Sequence, residues 1–284
     1  MNYIIKNLRT SEKYQQIINS KKSPVTISGL VSAAKSMMIA ALKAEERKPI
    51  IVITYNEIEA RNIINDLEFF TNNENIYFFQ KKEISLYDYD AGSTDTLYER
   101  INVLNKIKNK KNIIIITTIE ALMQKLPSKE VLYENIIGIS NGQTIEYNKL
   151  KEKLINLGYQ RTDLIEAKGQ FSVRGDIIDI SLNDKEGIRI EFWGDNVDSI
   201  RKFDIKTQRS IETINNTEIY PATENILENS LEIIASKIEK KYPKELSDIE
   251  SIKNGDYESK IDKYFNEFYE KQSTILDYVK DYKI

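Results

Sequence analysis

The sequence predicts an α/β fold: a parallel-sheet, nucleotide-loop-like domain, an inserted small α+β domain with an antiparallel sheet, and a helical carboxyl-terminal segment. Three observations carry this. From residue 24 to about 126, short β-branched runs alternate with amphipathic stretches, the pattern of strands joined by helices. From about Glu134 the texture changes to short strands punctuated by turn residues, and from Leu227 it becomes helical and rich in Glu, Lys, Tyr and Ile. The expected division is 1–127, 128–220 and 221–284, the last returning to the first domain and truncated.

Four strands are expected in the first part: Val25–Ser28, Ile50–Thr54, Ile76–Phe79 and Ile113–Thr117. They are too uniformly apolar to leave a wet face, so helices should cover both sides. Asn56 with Glu59 three residues later forms a capping-box pattern that opens a helix to about Phe70, and Thr96 with Glu99 opens another to about Lys108. In the second part a helix over Asn148–Leu157 stops at Gly158, the residue that favours a left-handed cap. Strands then follow at Ile177–Ser181, Ile188–Phe192 and Val197–Phe203, with turns at Asn183–Gly187 and Gly194–Asn196, giving an antiparallel meander. Apolar and charged residues alternate strictly along Ile188–Phe192, so one sheet face is buried and the other presented. In the last part Pro243 and Asn254–Gly255 break the helices, and the chain end reads as entering a further strand.

Composition removes several chemistries. The 284 residues are 40% hydrophobic and 30% charged, which suits two or three globular units. With neither cysteine nor histidine, disulfides, thiolate metal sites and histidine acid–base catalysis lose their residues. Lys+Arg 41 against Asp+Glu 44 gives a net charge of -3, which lacks the basic field of a dedicated DNA-binding domain. Met1–Thr10 has no apolar leader segment, and the longest aliphatic run, Ile113–Ile116, is far too short to span a bilayer. A cytoplasmic protein is expected.

One motif speaks of nucleotides. Gly29-Leu30-Val31-Ser32-Ala33-Ala34-Lys35-Ser36 fits G-x-x-x-x-G-K-[ST] except that Ala34 replaces the second glycine. In a working loop the glycines let backbone N–H groups wrap phosphates, the lysine reaches the outer phosphates and the hydroxyl holds magnesium. A residue with a Cβ forced to left-handed angles costs roughly 1–2 kcal/mol, so Ala34 is expected to impair the loop. The strands also end in Ser28, Thr54, Phe79 and Thr117, none of which offers a carboxylate to a metal. The loop is read as inactive, with Lys35 a solvated residue at a helix start.

Gly169-Gln170-Phe171-Ser172-Val173-Arg174-Gly175-Asp176-Ile177-Ile178-Asp179-Ile180, with Ile188–Asp195 and Ser199–Asp204 after it, resembles the signature of the small domain shared by UvrB and the bacterial transcription-repair coupling factors (Mfd). The resemblance extends through Thr207–Ser210 and Ile219–Ala222, and upstream through Glu99-Arg100 and Glu120–Pro127, where the coupling factors are matched more closely; it covers roughly residues 20–225. UvrB keeps an intact phosphate loop and an aromatic hairpin that clamps damaged DNA. Here the loop is degenerate, and Tyr87 and Tyr89 are the sole clamp candidates between Phe79 and Ile113. The resemblance therefore implies the amino-terminal, UvrB-like module of a coupling factor. The implied parent displaces stalled RNA polymerase with an ATP- and magnesium-dependent motor on duplex DNA, in segments absent from this chain. The module itself would be no enzyme, would need no cofactor and would recruit the repair protein UvrA.

In that family arginines of the small domain meet an acidic surface of UvrA. By motif position the role falls on Arg174 and, in Gly158-Tyr159-Gln160-Arg161, on Arg161. The bland alternative is that both are solvated strand-end arginines. Two departures stand out: Ser172 occupies a position where UvrB has a second arginine, and Ser181-Leu182 replaces the usual Phe-Pro. Trp193, the sole tryptophan, is read as strand-end packing ahead of a partner anchor. Two competing functions remain. An ATP-binding enzyme would rest on Lys35 and Ser36, and a damaged-DNA binder of the UvrB type on Arg174, Arg189 and Arg201.

Overall fold

The computed structural model describes residues 3–71, 75–83, 94–109 and 112–284. Tyr87 and Tyr89 lie outside them. The chain forms two compact units: Met1–Lys82 with Asn102–Gln124 and Thr274–Ile284, and Glu83–Ile101 with Lys125–Ser273. Of the expected helical segment, only its last eleven residues therefore belong with the first unit.

The first unit contains α1 (Tyr3–Arg9), α2 (Glu12–Ile18), α3 (Ala33–Glu45), β1 (Ile50–Thr54), α4 (Glu57–Thr71), β2 (Ile76–Phe79), part of α5 (Thr94–Asn109), β3 (Ile114–Thr118) and α6 (Ile119–Leu122). The strands form a parallel sheet in the order β1-β3-β2, with Ile50 opposite Ile114 and Ile76 opposite the same residue from the other side. Central β3 is buried along its whole length, as its run of isoleucines requires. Asn56 Oδ1 accepts from the Glu59 N–H at 2.9 Å, so the expected cap opens α4. The second cap is misplaced: α5 starts at Thr94, and Thr96 lies inside it.

The expected first strand, Val25–Ser28, does not form. Its β-branched residues find no ladder partner, and Val25 and Ile27 stay exposed. The outer edge of β1 is bridged instead by Lys283, whose carbonyl accepts from Ile51 at 2.7 Å and whose N–H donates to Pro49 at 2.9 Å.

The second unit contains α7 (Lys129–Glu134), β4 (Ile137–Ser140), α8 (Tyr147–Asn156), β5 (Gln160–Arg161), β6 (Gln170–Arg174), β7 (Ile177–Ser181), β8 (Glu186–Trp193), β9 (Asn196–Asp204), β10 (Ser210–Thr213), β11 (Asn216–Ile219), α9 (Leu231–Lys241), α10 (Leu246–Lys253) and α11 (Phe265–Phe268). Six strands pair in the order β10-β9-β8-β7-β6-β5, antiparallel except for β5 and β6, while β11 pairs with β4. Gly158 ends α8 with φ 84°, the left-handed cap expected.

One face of the six-stranded sheet carries Phe171, Ile178, Ile180, Ile188, Ile190 and Ile200, all fully buried. Each such side chain contributes about 1.5–3 kcal/mol by leaving water. Tyr147 of α8 packs edge-on against Phe192, ring centroids 5.2 Å apart. Gly187 lies within β8 rather than in the turn, and it stands opposite Phe203, whose ring a Cβ there would meet at 2.5 Å.

The helical stretch has a core of its own. Ile234, Ile238, Ile249, Ile252, Tyr264 and Phe268 pack together, and the Asp248 carboxylate gathers Lys263 and Tyr264 at 2.7 Å and Lys260 at 3.3 Å. Elsewhere in this unit Arg100 is 0% exposed and pairs with Glu224, 2% exposed, at 3.1 Å. Among the described residues no helix is long and apolar enough to cross a membrane.

Candidate functional site

The second face of the six-stranded sheet has a polar stretch beside the buried Phe203, and strand register orders that stretch into two rows. Ser172, Asp179, Arg189 and Arg201 stand opposite one another across β6, β7, β8 and β9. Arg174, Ile177, Glu191 and Ser199 form the next row. Residues opposite in register share a face, so the sequence's alternation in β8 becomes a continuous surface.

Charges on this face pair within and between rows. Asp179, 2% exposed, accepts from Arg189 Nε and Nη2, both at 2.8 Å, and from Arg174 Nη2 at 3.4 Å. A bidentate fork of this kind fixes both partners. That bond raises the Arg189 pKa further, so this guanidinium stays charged. Arg189 also lies 4.9 Å over the Phe203 ring. In the neighbouring group Glu191 accepts from Arg201 at 2.6 Å and Ser199 at 2.7 Å.

Arg174 differs from its neighbours. Its side chain is 52% exposed, and its one bond to Asp179 is long, leaving most of the fork toward solvent. Arg189 is committed to the sheet, whereas Arg174 is positioned by it and still open to a partner. A guanidinium held by one contact keeps further donors for other acceptors.

Comparison with known proteins agrees with the motif. Residues 137–225 match the family described as UvrB interaction domain. The chain is 30% identical over 296 residues to the transcription-repair-coupling factor of Bacillus subtilis (strain 168), covering 96% of this chain and 25% of that protein. Two such factors from Staphylococcus aureus, of strains bovine RF122 / ET3-1 and MRSA252, are each 30% identical over 292 residues, covering 97% of this chain. The chain thus spans about a quarter of the length of these relatives.

Within the matched residues 137–225 the two arginines taken from the motif separate. Arg161 is exposed on edge strand β5, in register with Phe171, whose side chain lies on the buried face. It is therefore outside the rows that hold Arg174. Its charge acts on Tyr147, whose phenol is pushed up first by burial and then by Asp176, with Arg161 opposing. Tyr147 donates to the Gly175 carbonyl at 2.7 Å, so Arg161 lies at the same end of the sheet as Arg174.

The departures from the family pattern also find their places. Ser172 is buried beside Asp179, and its hydroxyl has no partner among the described residues. Ser181 is buried too and accepts from the Gln170 N–H at 3.0 Å, while Leu182 is exposed. The reading of Trp193 as packing is overturned: it is 81% exposed. Asp179 and Glu191, which organise the face, were not singled out from sequence. The available signal was a carboxylate inside an otherwise apolar strand, Ile177-Ile178-Asp179-Ile180.

The degenerate phosphate loop lies in the first unit. Gly29 has φ 83°, and the strained non-glycine residue is Ser32, φ 47°, rather than Ala34. Ala34 is the second residue of α3, so the expected distortion at this position is absent. Lys35 Nζ pairs with Glu59 at 2.7 Å, and that bond and charge hold its ammonium above the ordinary value. Ser36 is buried and donates to Asp66 at 2.9 Å. The first-turn amides are also engaged, Ala34 N–H with Val31 O at 3.1 Å and Lys35 N–H with Ser32 O at 3.3 Å.

Proposed function

We propose that this chain is a UvrA-docking module of a transcription-repair coupling factor, acting in transcription-coupled nucleotide excision repair. The full-length parent would be a cytoplasmic, ATP-dependent DNA translocase that engages RNA polymerase and duplex DNA. The carrying observation is the half-exposed Arg174 fork, held by Asp179 on the polar face of the UvrB interaction domain. Guanidinium forks recognise carboxylates bidentately, which suits an acidic partner surface. In this reading the nucleotide-loop-like unit is a structural carrier into which the docking domain is inserted.

Arg174→Ala is expected to weaken UvrA binding by about 2 kcal/mol, roughly thirtyfold, while leaving the fold intact. Arg161→Ala, outside the two rows, should lose less. Calorimetry of the three proteins against UvrA, with thermal melts as fold controls, tests this. Unchanged affinity in folded Arg174→Ala would remove the site assignment.

The module is also expected to bind no nucleotide and to have no enzymatic activity. Lys35 and Ser36 are held by Glu59 and Asp66, so a phosphate would have to displace two carboxylates and meet their negative charge. The engaged first-turn amides withdraw the donors that such a loop offers. Titration with ATP and magnesium should show no saturable heat, and a dissociation constant in the low micromolar range would contradict this.

A further inference from the structure

We propose that Trp193 is a second anchor of the docking face, inserted into an apolar recess of the same acidic partner surface that takes Arg174. This rests on the UvrA-docking reading and names what else the partner must recognise. Alternation along β8 places Arg189, Glu191 and Trp193 on one side, while Ile188, Ile190 and Phe192 are buried on the other. Trp193 therefore continues the polar face as an aromatic end.

Arg174 and Trp193 are close enough to be covered together. Arg174 and Glu191 share a row two strand spacings apart, roughly 10 Å, and Trp193 is two residues beyond Glu191, roughly 7 Å. Phe192 N–H donates to the Asp176 carbonyl at 2.9 Å, which ties the Trp193 hairpin to the turn after Arg174. Both side chains thus fit within one ordinary interface patch of about 800 Å² per partner.

The exposure of Trp193 does not come from a loose turn. Asp195 O accepts from Ile145 N–H at 2.7 Å, and Asp195 Oδ1 from Tyr147 N–H at 3.0 Å. Thr144 donates to Asn196 Oδ1 at 2.7 Å, and Val197 exchanges backbone bonds with Gly142 and Gln143 at 2.8 and 2.9 Å. A large aromatic held in water on a fixed support loses little freedom on docking, and tryptophan is enriched among residues that dominate binding energy. Arg189 and Arg201 are paired with Asp179 and Glu191, whereas Arg174 is half-exposed with a single long contact to Asp179, so the guanidinium on offer beside the aromatic contact is that of Arg174, whose complement is a carboxylate of the partner surface.

As the sole tryptophan, Trp193 gives one resonance when the chain is labelled with 5-fluorotryptophan. On addition of UvrA its fluorine signal should shift or broaden, Trp193→Ala should weaken binding about tenfold, and Trp193→Phe should recover part of the loss. The salt dependence of binding should stay that of the wild type in Trp193→Ala and flatten in Arg174→Ala, since only the second removes a charge. Binding to UvrA with an unmoved resonance and wild-type affinity in Trp193→Ala would overturn the anchor and leave the docking reading in place. A wild-type chain that does not bind UvrA would remove both. A resonance that responds to single-stranded DNA and not to UvrA would overturn the anchor in favour of base stacking.

Discussion

Arg100→Met is expected to destabilise the second unit by about 3–5 kcal/mol, the largest effect of any single change considered. Arg100 is fully buried, and its guanidinium meets Glu224 at 3.1 Å where that carboxylate is 2% exposed. Methionine fills much of the arginine stem's volume but removes the guanidinium that meets the buried Glu224 carboxylate. At about 2–4 °C per kcal/mol for a unit of this size, the melting temperature should fall by roughly 10 °C or more. Glu224→Leu should be similarly damaging, and the double variant should lose clearly less than the two singles combined. Thermal and urea unfolding of the four proteins measure this. A loss below about 1 kcal/mol for Arg100→Met would mean that the pair contributes nothing specific.

Asp179→Asn should cost about 2–3 kcal/mol. The side chain keeps its shape, so packing is nearly unchanged and the loss isolates the charge. Arg189 would then retain a neutral acceptor in place of a bidentate carboxylate, and Arg174 would lose its side-chain ion pair with Asp179. The cost is smaller than at Arg100 because Arg174 and part of Arg189 reach solvent. Raising salt should reduce the difference from the wild type, since a partly exposed pair is screened. Urea unfolding at low and high ionic strength reads both effects. A difference independent of salt would point to steric change instead.

Much of this arrangement was legible because local chemistry dictated it. The isoleucine runs of β1 and β3, the Asn56 cap and the Gly158 stop each depend on residues close in sequence. The meander was readable from its alternation. The misreadings involve partners distant in sequence. Val25–Ser28 has strand composition, but the β1 edge pairs with Lys283, far along the chain. Lys35 and Ser36 belong to a plausible loop, yet their partners Glu59 and Asp66 come from α4. Ser32 rather than Ala34 carries the left-handed backbone, because α3 begins at Ala33 and includes Ala34. The separation of Arg161 from Arg174 and the central place of Asp179 follow from strand register, which no local pattern specifies. Trp193 resembled packing because most large aromatics are buried, whereas its turn faces water.

The most direct test of the central claim is a calorimetric titration of this chain with UvrA from the same organism at low and at physiological salt. The expected result is saturable binding that weakens as salt rises, because arginines of the polar face meet an acidic partner. A folded chain that gives no binding heat at either salt, confirmed by absence of retention in a pull-down, would contradict the docking function.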